Sequence, residues 1–84
     1  MYTLLIRLSA ERDLRRLPHD PFERVNERIL SLCEYPRPHG VRKLAGAQEG
    51  WRVRVGDYRI LYQIDDDAQT MTIVRVKHRR DAYR

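Results

Sequence analysis

The stretch that decides the fold is residues 51–62, which read WRVRVGDYRILY. Apolar and basic side chains alternate along both halves of it, and a period of two is typical of a strand with one buried face. The central pair Gly56-Asp57 favours a tight two-residue turn. The stretch therefore predicts an antiparallel β-hairpin in which Arg54 lies directly opposite Arg59.

This register divides the hairpin into two faces, because alternate residues of a strand point to opposite sides of a sheet. One face is apolar and consists of Val53, Val55, Tyr58 and Ile60. The other carries Arg52, Arg54 and Arg59, and we expect it to point away from the helices. Two arginines directly opposite each other repel, so this arrangement costs stability. Guanidinium groups that converge on an exposed face are suited to binding phosphate. The alternative is a solvated polar face whose counter-ions come from acidic loops.

Before the hairpin, the pattern predicts one strand and two helices. Residues 2–8 alternate loosely and form the first strand. Ser9 is expected to cap a short helix that ends at Pro18, and Asp20 to cap a second helix. The second helix carries an apolar stripe at helical spacing and stops before the prolines at 36 and 38. The stripe consists of Phe22, Val25, Ile29, Leu32 and Cys33.

The remaining segments complete the fold prediction. Residues 36–50 are expected to form a connector anchored by Val41 and Leu44, and 65–67 a solvated acidic loop. A last strand over 70–77 runs into a basic tail. The predicted order is β-α-α-β-β-β, in one domain over residues 1–84. This is an α+β fold with two layers, in which a helical hairpin packs on one face of a mainly antiparallel sheet.

The charge balance indicates a polyanionic partner. The chain has 17 basic and 12 acidic residues, a net charge of +5 and a pI near 9.9. Nucleic acid, an acidic protein and a membrane surface all remain possible on this ground alone. The only lysines are Lys43 and Lys77, and arginine dominates.

One cysteine excludes an internal disulfide, and we expect it to be buried. The histidines are scattered, so neither a metal nor a cofactor is expected. No long apolar span is present, and we expect a cytoplasmic protein without membrane contact.

The C-terminal segment, residues 75–84, extends the basic character of the hairpin. It has five basic residues against Asp81 and also contains His78 and Tyr83. Basic groups with an interleaved aromatic suit single-stranded RNA, since a base stacks on the ring while phosphates meet the guanidinium groups. The alternative is a disordered basic tail.

Three runs together resemble the RelE branch of the RelE/ParE toxin superfamily, namely KLAG at 43–46, the hairpin at 51–62 and VKHRRDAYR at 76–84. The resemblance covers essentially the whole chain. It implies a toxin of a type II toxin–antitoxin system, held inactive by a cognate antitoxin through an acidic wrapping segment. Once free, such a toxin cleaves the messenger RNA codon in the ribosomal A site through attack by the RNA 2′-hydroxyl, without a metal or cofactor.

The resemblance also implies which residues act. The catalytic set is Arg52, Arg54, Arg59, Arg79, Tyr83 and His78, and the RNA-binding set is Lys43, Arg75, Lys77, Arg80 and Arg84. We expect Arg59 to stabilise the phosphorane, Arg79 to lie near the leaving oxygen and Tyr83 to orient a base. The best-known members have lysines at positions 52 and 54. Since arginine does not give up its proton, the general base is open, and His78 is one candidate.

Two other functions stay open on the sequence. The ParE branch of the same superfamily poisons DNA gyrase, and such a protein is a binding module rather than a nuclease. The chain could also be an RNA-binding remnant that lost activity through the lysine-to-arginine changes.

Overall fold

The computed structural model describes residues 1–44 and 50–81. Its elements in chain order are β1 (Thr3–Ile6), α1 (Leu8–Arg15), α2 (His19–Glu34), β2 (Arg42–Lys43), β3 (Trp51–Val55), β4 (Tyr58–Asp65) and β5 (Thr70–His78). These five strands form one sheet in the order β1-β5-β4-β3-β2. The pair β1–β5 is parallel and the others are antiparallel. The predicted α+β fold, two helices on a mainly antiparallel sheet, is confirmed.

The hairpin of β3 and β4 has the predicted register. Arg54 lies opposite Arg59, and Val53 lies opposite Ile60. Gly56 has a φ of 58° while Asp57 does not have a positive φ, which is the sign pattern of a type II′ turn. A glycine is needed at the first loop position because other residues rarely adopt a left-handed backbone there.

The core lies between the helices and one face of the sheet. It consists of Ala10, Val25, Ile29, Leu32, Cys33, Val53, Ile60, Tyr62, Met71, Ile73 and Val76. The prediction of a buried cysteine is confirmed, and burial raises the pKa of the Cys33 thiol. Phe22 is an exception to the predicted stripe, because it lies in the first turn of α2 and is 38% exposed.

Both predicted helix caps are wrong. The first helix begins at Leu8 with Arg7 as its N-cap, so Ser9 lies inside the helix and its hydroxyl donates to the carbonyl of Val74 (2.9 Å). The second helix begins at His19 after Pro18, and neither N-cap makes a side-chain hydrogen bond. Asp20 instead lies in the first turn, where a negative charge favours the positive end of the helix dipole.

Helix α1 takes the place of a strand along the free edge of β5. The partner strand β1 pairs with β5 only over positions 70–73. Beyond that point three hydrogen bonds continue the edge, from Arg7 N to Ile73 O (3.0 Å), from Ser9 Oγ to Val74 O (2.9 Å) and from Val76 N to Asp13 Oδ2 (2.9 Å). The backbone of β5 is therefore satisfied by a helix where no strand lies beside it.

Strand β5 contains one extra residue, Val74, between the partners of Leu61 and Tyr62. A bulge of this kind shifts the alternation of faces by one residue. Positions 71 and 73 face the helices before the bulge, and Val76 does so after it. Lys77 consequently lies on the opposite face, away from the helices.

Two corrections concern the loops. The predicted connector contains a short edge strand, β2, which pairs with β3. The acidic loop is not merely solvated, because Asp66 accepts two hydrogen bonds from Arg37 (2.7 and 3.3 Å) and one from the hydroxyl of Tyr2 (2.5 Å). The hydrogen bond from Arg37 holds the pKa of Asp66 below its usual range. No helix within residues 1–44 and 50–81 is long and apolar enough to cross a bilayer.

Candidate nucleic-acid interface

Three cations form a row across three adjacent strands on the face away from the helices. Arg59 of β4 lies opposite Arg54 of β3 on one side and opposite Lys77 of β5 on the other. Residues directly opposite in a sheet have their Cβ atoms about 4.5–5.5 Å apart. The bulge at Val74 creates this alignment, because it gives Lys77 the same facing as Arg59. We call Arg54, Arg59 and Lys77 the cation row.

A second line of basic residues runs beside the cation row. Arg42 lies opposite Arg52, and Leu61 lies opposite both Arg52 and Arg75. The sequence did not point to Arg42, because a two-residue strand is too short to show a period. The one available signal was the pair of basic residues at 42 and 43, just before the hairpin.

The two lines enclose a concave depression of about 330 Å³ lined by Gly40, Arg42, Arg52, Arg54 and Arg59. Arg52 and Arg59 are half-buried, and Nη1 of Arg59 is shielded from solvent. Arg54 is exposed, and its Nε donates to the carbonyl of Gly56 (2.9 Å). The described lining contains four guanidinium groups and no carboxylate, so the depression is suited to an anion with several oxygens.

His78 is not on this face. It lies opposite Tyr58, whose side chain faces the helices, and the two rings meet edge to face with centroids 5.2 Å apart. Nδ1 of His78 accepts a hydrogen bond from the backbone N–H of Arg80 (3.2 Å). The structure thus separates His78 from Arg52, Arg54 and Arg59, with which the sequence analysis grouped it.

Two of the expected RNA contacts are also set apart. The guanidinium of Arg75 is bound by the carboxylate of Asp13 (2.8 and 3.2 Å), and this contact raises the pKa of Arg75. Lys43 lies opposite Trp51 and therefore shares the face of the helices. The candidate interface consists of the cation row, Arg42 and Arg52, and Arg75 is held at its border.

The C-terminal basic residues follow directly from β5. Arg79 and Arg80 are exposed, and the backbone N–H of Arg79 donates to the carbonyl of Asp57 (2.6 Å), which ties the end of β5 to the hairpin turn. Tyr83 and Arg84 lie outside the described residues. Within residues 1–44 and 50–81, no cluster of His, Cys, Asp or Glu could hold a metal ion.

Comparison with known families gives the class of the protein. Residues 4–83 match the family described as the ParE toxin of the type II toxin–antitoxin system parDE. The match spans almost all of the 84 residues. The chain therefore belongs to this family of toxins, and the resemblance to the RelE/ParE superfamily is confirmed.

Curated relatives point to the RelE side of the superfamily. Toxin RelG of Mycobacterium tuberculosis is 40% identical over 87 residues, which covers 99% of this chain and 97% of the relative. Toxin RelE of the same organism is 35% identical over 92 residues, with 99% and 87% covered.

Solved structures agree with these relatives. The toxin–antitoxin complex RelBE2 of M. tuberculosis contains a chain with a TM-score of 0.82 and 34% identity, over 92% of this chain and 96% of that one. The archaeal RelE–RelB complex of Pyrococcus horikoshii gives a TM-score of 0.82 and 29% identity, over 96% and 98%. The first of these was solved as a toxin–antitoxin complex and the second as a complex of RelE with RelB.

Proposed function

We propose that this protein is a ribosome-dependent messenger RNA endonuclease that inhibits translation. The observation that carries the proposal is the cation row, with Arg54 and Lys77 in register on either side of Arg59. A row of cations on the face away from the helices suits contacts with a phosphate backbone, and it has no evident value for stability because its members repel. The relatives named RelE and RelG support the same function.

The RNA itself supplies the nucleophile in this reaction. Attack by a 2′-hydroxyl on the adjacent phosphate yields a 2′,3′-cyclic phosphate and a 5′-hydroxyl. The protein must align the two groups and stabilise the negative charge that develops on phosphorus. Arg59 is central in the row and half-buried, so its guanidinium is the best-fixed donor for that charge. One such donor is worth about 3–4 kcal/mol of barrier.

The other predicted residues have supporting roles in this proposal. Arg52, Arg54 and the newly found Arg42 line the depression and hold the scissile phosphate and its neighbour. Arg79 follows β5 close to the hairpin turn, where it contacts the leaving oxygen. Tyr83 stacks on a base of the codon.

The partners follow from the same electrostatics. A net charge of +5 suits the ribosome and messenger RNA, and it suits a cognate antitoxin with an acidic segment that covers the basic face. The solved relatives in complex with antitoxins support such a partner. A ribosomal target places the action of the protein in the cytoplasm.

The test is cleavage mapping on programmed ribosomes. The purified protein is added to ribosomes stalled with a defined A-site codon, and the 3′ ends of the messenger RNA are mapped and tested for a cyclic phosphate. We expect a cut within that codon, little cleavage of naked RNA, and loss of the cut in Arg59→Ala. The control Arg12→Ala, on the exposed side of α1, should cut like the wild type. A wild-type protein that leaves ribosome-bound RNA intact would overturn the proposal.

A second function is favoured by one finding, the match of residues 4–83 to the ParE toxin family. The resemblance to the ParE branch of the superfamily implies inhibition of DNA gyrase without nuclease activity. A supercoiling assay with purified gyrase distinguishes the two functions. Gyrase inhibition without RNA cleavage would identify a ParE-like binding module, and inactivity in both assays an RNA-binding remnant.

A further inference from the structure

The cation row is uniform in charge but not in chemistry. Cleavage by a 2′-hydroxyl requires a group that accepts the proton of that hydroxyl. Arginine remains protonated in proteins and cannot accept it. Lys77 is the one member of the row whose side chain can exchange a proton, and it is half-buried opposite Arg59.

From this we infer that Lys77 is the general base of the cleavage reaction, an assignment that rests on the proposed endonuclease function. The geometry of the row supports it. In an in-line displacement the attacking and leaving oxygens lie on opposite sides of phosphorus. With Arg59 on the non-bridging oxygens, its two row neighbours lie on opposite sides of it, each one strand spacing of about 4.8 Å away. The 2′-hydroxyl belongs on the Lys77 side, and the leaving oxygen lies towards Arg54 and the hairpin turn, to which the backbone of Arg79 is hydrogen-bonded.

The other titratable groups nearby are turned elsewhere. His78 pairs with Tyr58 on the side of the helices, and Lys43 pairs with Trp51 on that same side. The carboxylate of Asp13 is engaged by Arg75 and by the backbone of β5. Of these four groups, Lys77 alone lies beside Arg59 on the face of the cation row, and it is the one placed to act as a base.

Among the described residues, the strand register identifies the basic groups that lie near Lys77. Arg59 lies across from it on β4, Arg75 lies two positions before it on β5, and Arg79 follows the end of β5. The charge of Arg75 is balanced by Asp13 of α1.

The reaction then balances as follows. The amine of Lys77 takes the 2′-hydroxyl proton while O2′ forms a bond to phosphorus. The bond from phosphorus to O5′ breaks, and its electron pair goes to O5′, which takes a proton from water. The products are a 2′,3′-cyclic phosphate and a 5′-hydroxyl, and the ammonium of Lys77 returns its proton to solvent.

The experiment compares the wild type with Lys77→Arg in single-turnover cleavage on programmed ribosomes. This substitution keeps the positive charge and removes the proton acceptor. We expect cleavage to fall ~100-fold or more, while co-sedimentation with ribosomes stays unchanged. The control Arg12→Lys makes the reverse substitution at an exposed position of α1. It should leave the cleavage rate unchanged.

Two further readouts separate a base from a charge or an acid. The wild-type rate should rise with pH by a one-proton dependence and then level off, and Lys77→Arg should lose this rise. A substrate with sulfur in place of the leaving 5′-oxygen needs no protonation of its leaving group. The defect of Lys77→Arg should persist with this substrate, because the base acts on the other oxygen.

The outcomes distinguish this inference from the proposed function. A wild type that cuts and a Lys77→Arg variant that cuts equally fast would overturn the assignment of Lys77 and leave the endonuclease proposal intact. Rescue of the variant by the sulfur leaving group would overturn the assignment too, since Lys77 would then be the acid. A wild type that never cuts would overturn both.

Discussion

Arg54 and Arg59 lie directly opposite each other on β3 and β4, with both side chains on the face away from the helices. A sheet selected for stability alone would place an acid or a threonine at one of these positions. The pair is therefore a local conflict of the kind that proteins retain at functional sites.

Replacing Arg54 by Glu should move stability and activity in opposite directions. The cross-strand pair changes from repulsive to attractive. Since Arg54 is exposed, the gain is modest, and the free energy of unfolding should rise by about 0.5–1 kcal/mol. Cleavage on ribosomes should fall at least tenfold, because a carboxylate then faces the RNA phosphates. Thermal melts and cleavage rates measure both effects. The control Arg12→Glu makes the same charge change on α1 and should keep its cleavage rate. A variant that is less stable and still active would remove Arg54 from the interface.

Asp13 should be the most important carboxylate for stability among the described residues. Its side chain is only 12% exposed and accepts hydrogen bonds from Arg75 and from the backbone of Val76. Asp13→Ala leaves both donors without this partner. It should lower the free energy of unfolding, measured by urea denaturation, by about 2–3 kcal/mol. The control Glu11→Ala removes an exposed ion pair with Arg15 and should cost at most about 0.5 kcal/mol. Equal losses in the two variants would show that the edge contact contributes little.

Acid should weaken the protein partly through Asp66. The hydrogen bond from Arg37 lowers the pKa of this carboxyl in the folded state. A lowered pKa contributes stability at pH values above the unfolded value, near 3.9, and this contribution is lost as pH falls through the folded value. Melting temperatures between pH 6 and pH 2.5 should therefore fall less steeply in Asp66→Asn than in the wild type. The neighbouring variant Asp67→Asn should keep the wild-type slope. Parallel plots of melting temperature against pH for the wild type and Asp66→Asn would show that the hydrogen bond from Arg37 to Asp66 contributes no acid-dependent stability.

Alkali should weaken the protein through Tyr62. Burial raises the pKa of its hydroxyl to about 12, and this hydroxyl donates to the carbonyl of Pro36 (2.6 Å). An unfolded tyrosine titrates near 10. The raised pKa contributes stability that is present below pH 10 and is lost as pH rises from 10 towards 12. Tyr62→Phe should be less stable at pH 8 and should lose less stability above pH 10. Tyr35→Phe is the control, since Tyr35 is 70% exposed. Identical alkaline slopes in wild type and Tyr62→Phe would overturn the prediction.

The fold was largely predictable because its main signals are periodic. The alternation in residues 51–62 and the glycine at 56 defined the hairpin register to the residue, and the apolar stripe of α2 identified most of its buried face. The caps were not predictable from residue type alone. Ser9 is a good cap in isolation, but the free edge of β5 offers its hydroxyl a carbonyl, and only the tertiary structure shows that edge.

The sequence predicted which face of the sheet carries the arginines of the hairpin. It did not predict which residues of the last strand share that face. Arg52, Arg54 and Arg59 were located on one face because their strands alternate without interruption. The bulge at Val74 has no sequence signature comparable to a Gly turn, so the facing of Lys77 and His78 could not be read from the pattern. Arg42 was missed because its strand has only two residues.

Because of the bulge at Val74, the number of residues after it is more tightly constrained than the identity of each side chain. A substitution between positions 75 and 77 changes one side chain and leaves the pairing alone. Gain or loss of one residue there exchanges the face of every later side chain. A single deletion would set His78 opposite Arg59 and turn Lys77 towards Ile60 in the core. Insertions and deletions in this short interval therefore alter the chemistry of the surface in one step, whereas point mutations must do so one residue at a time.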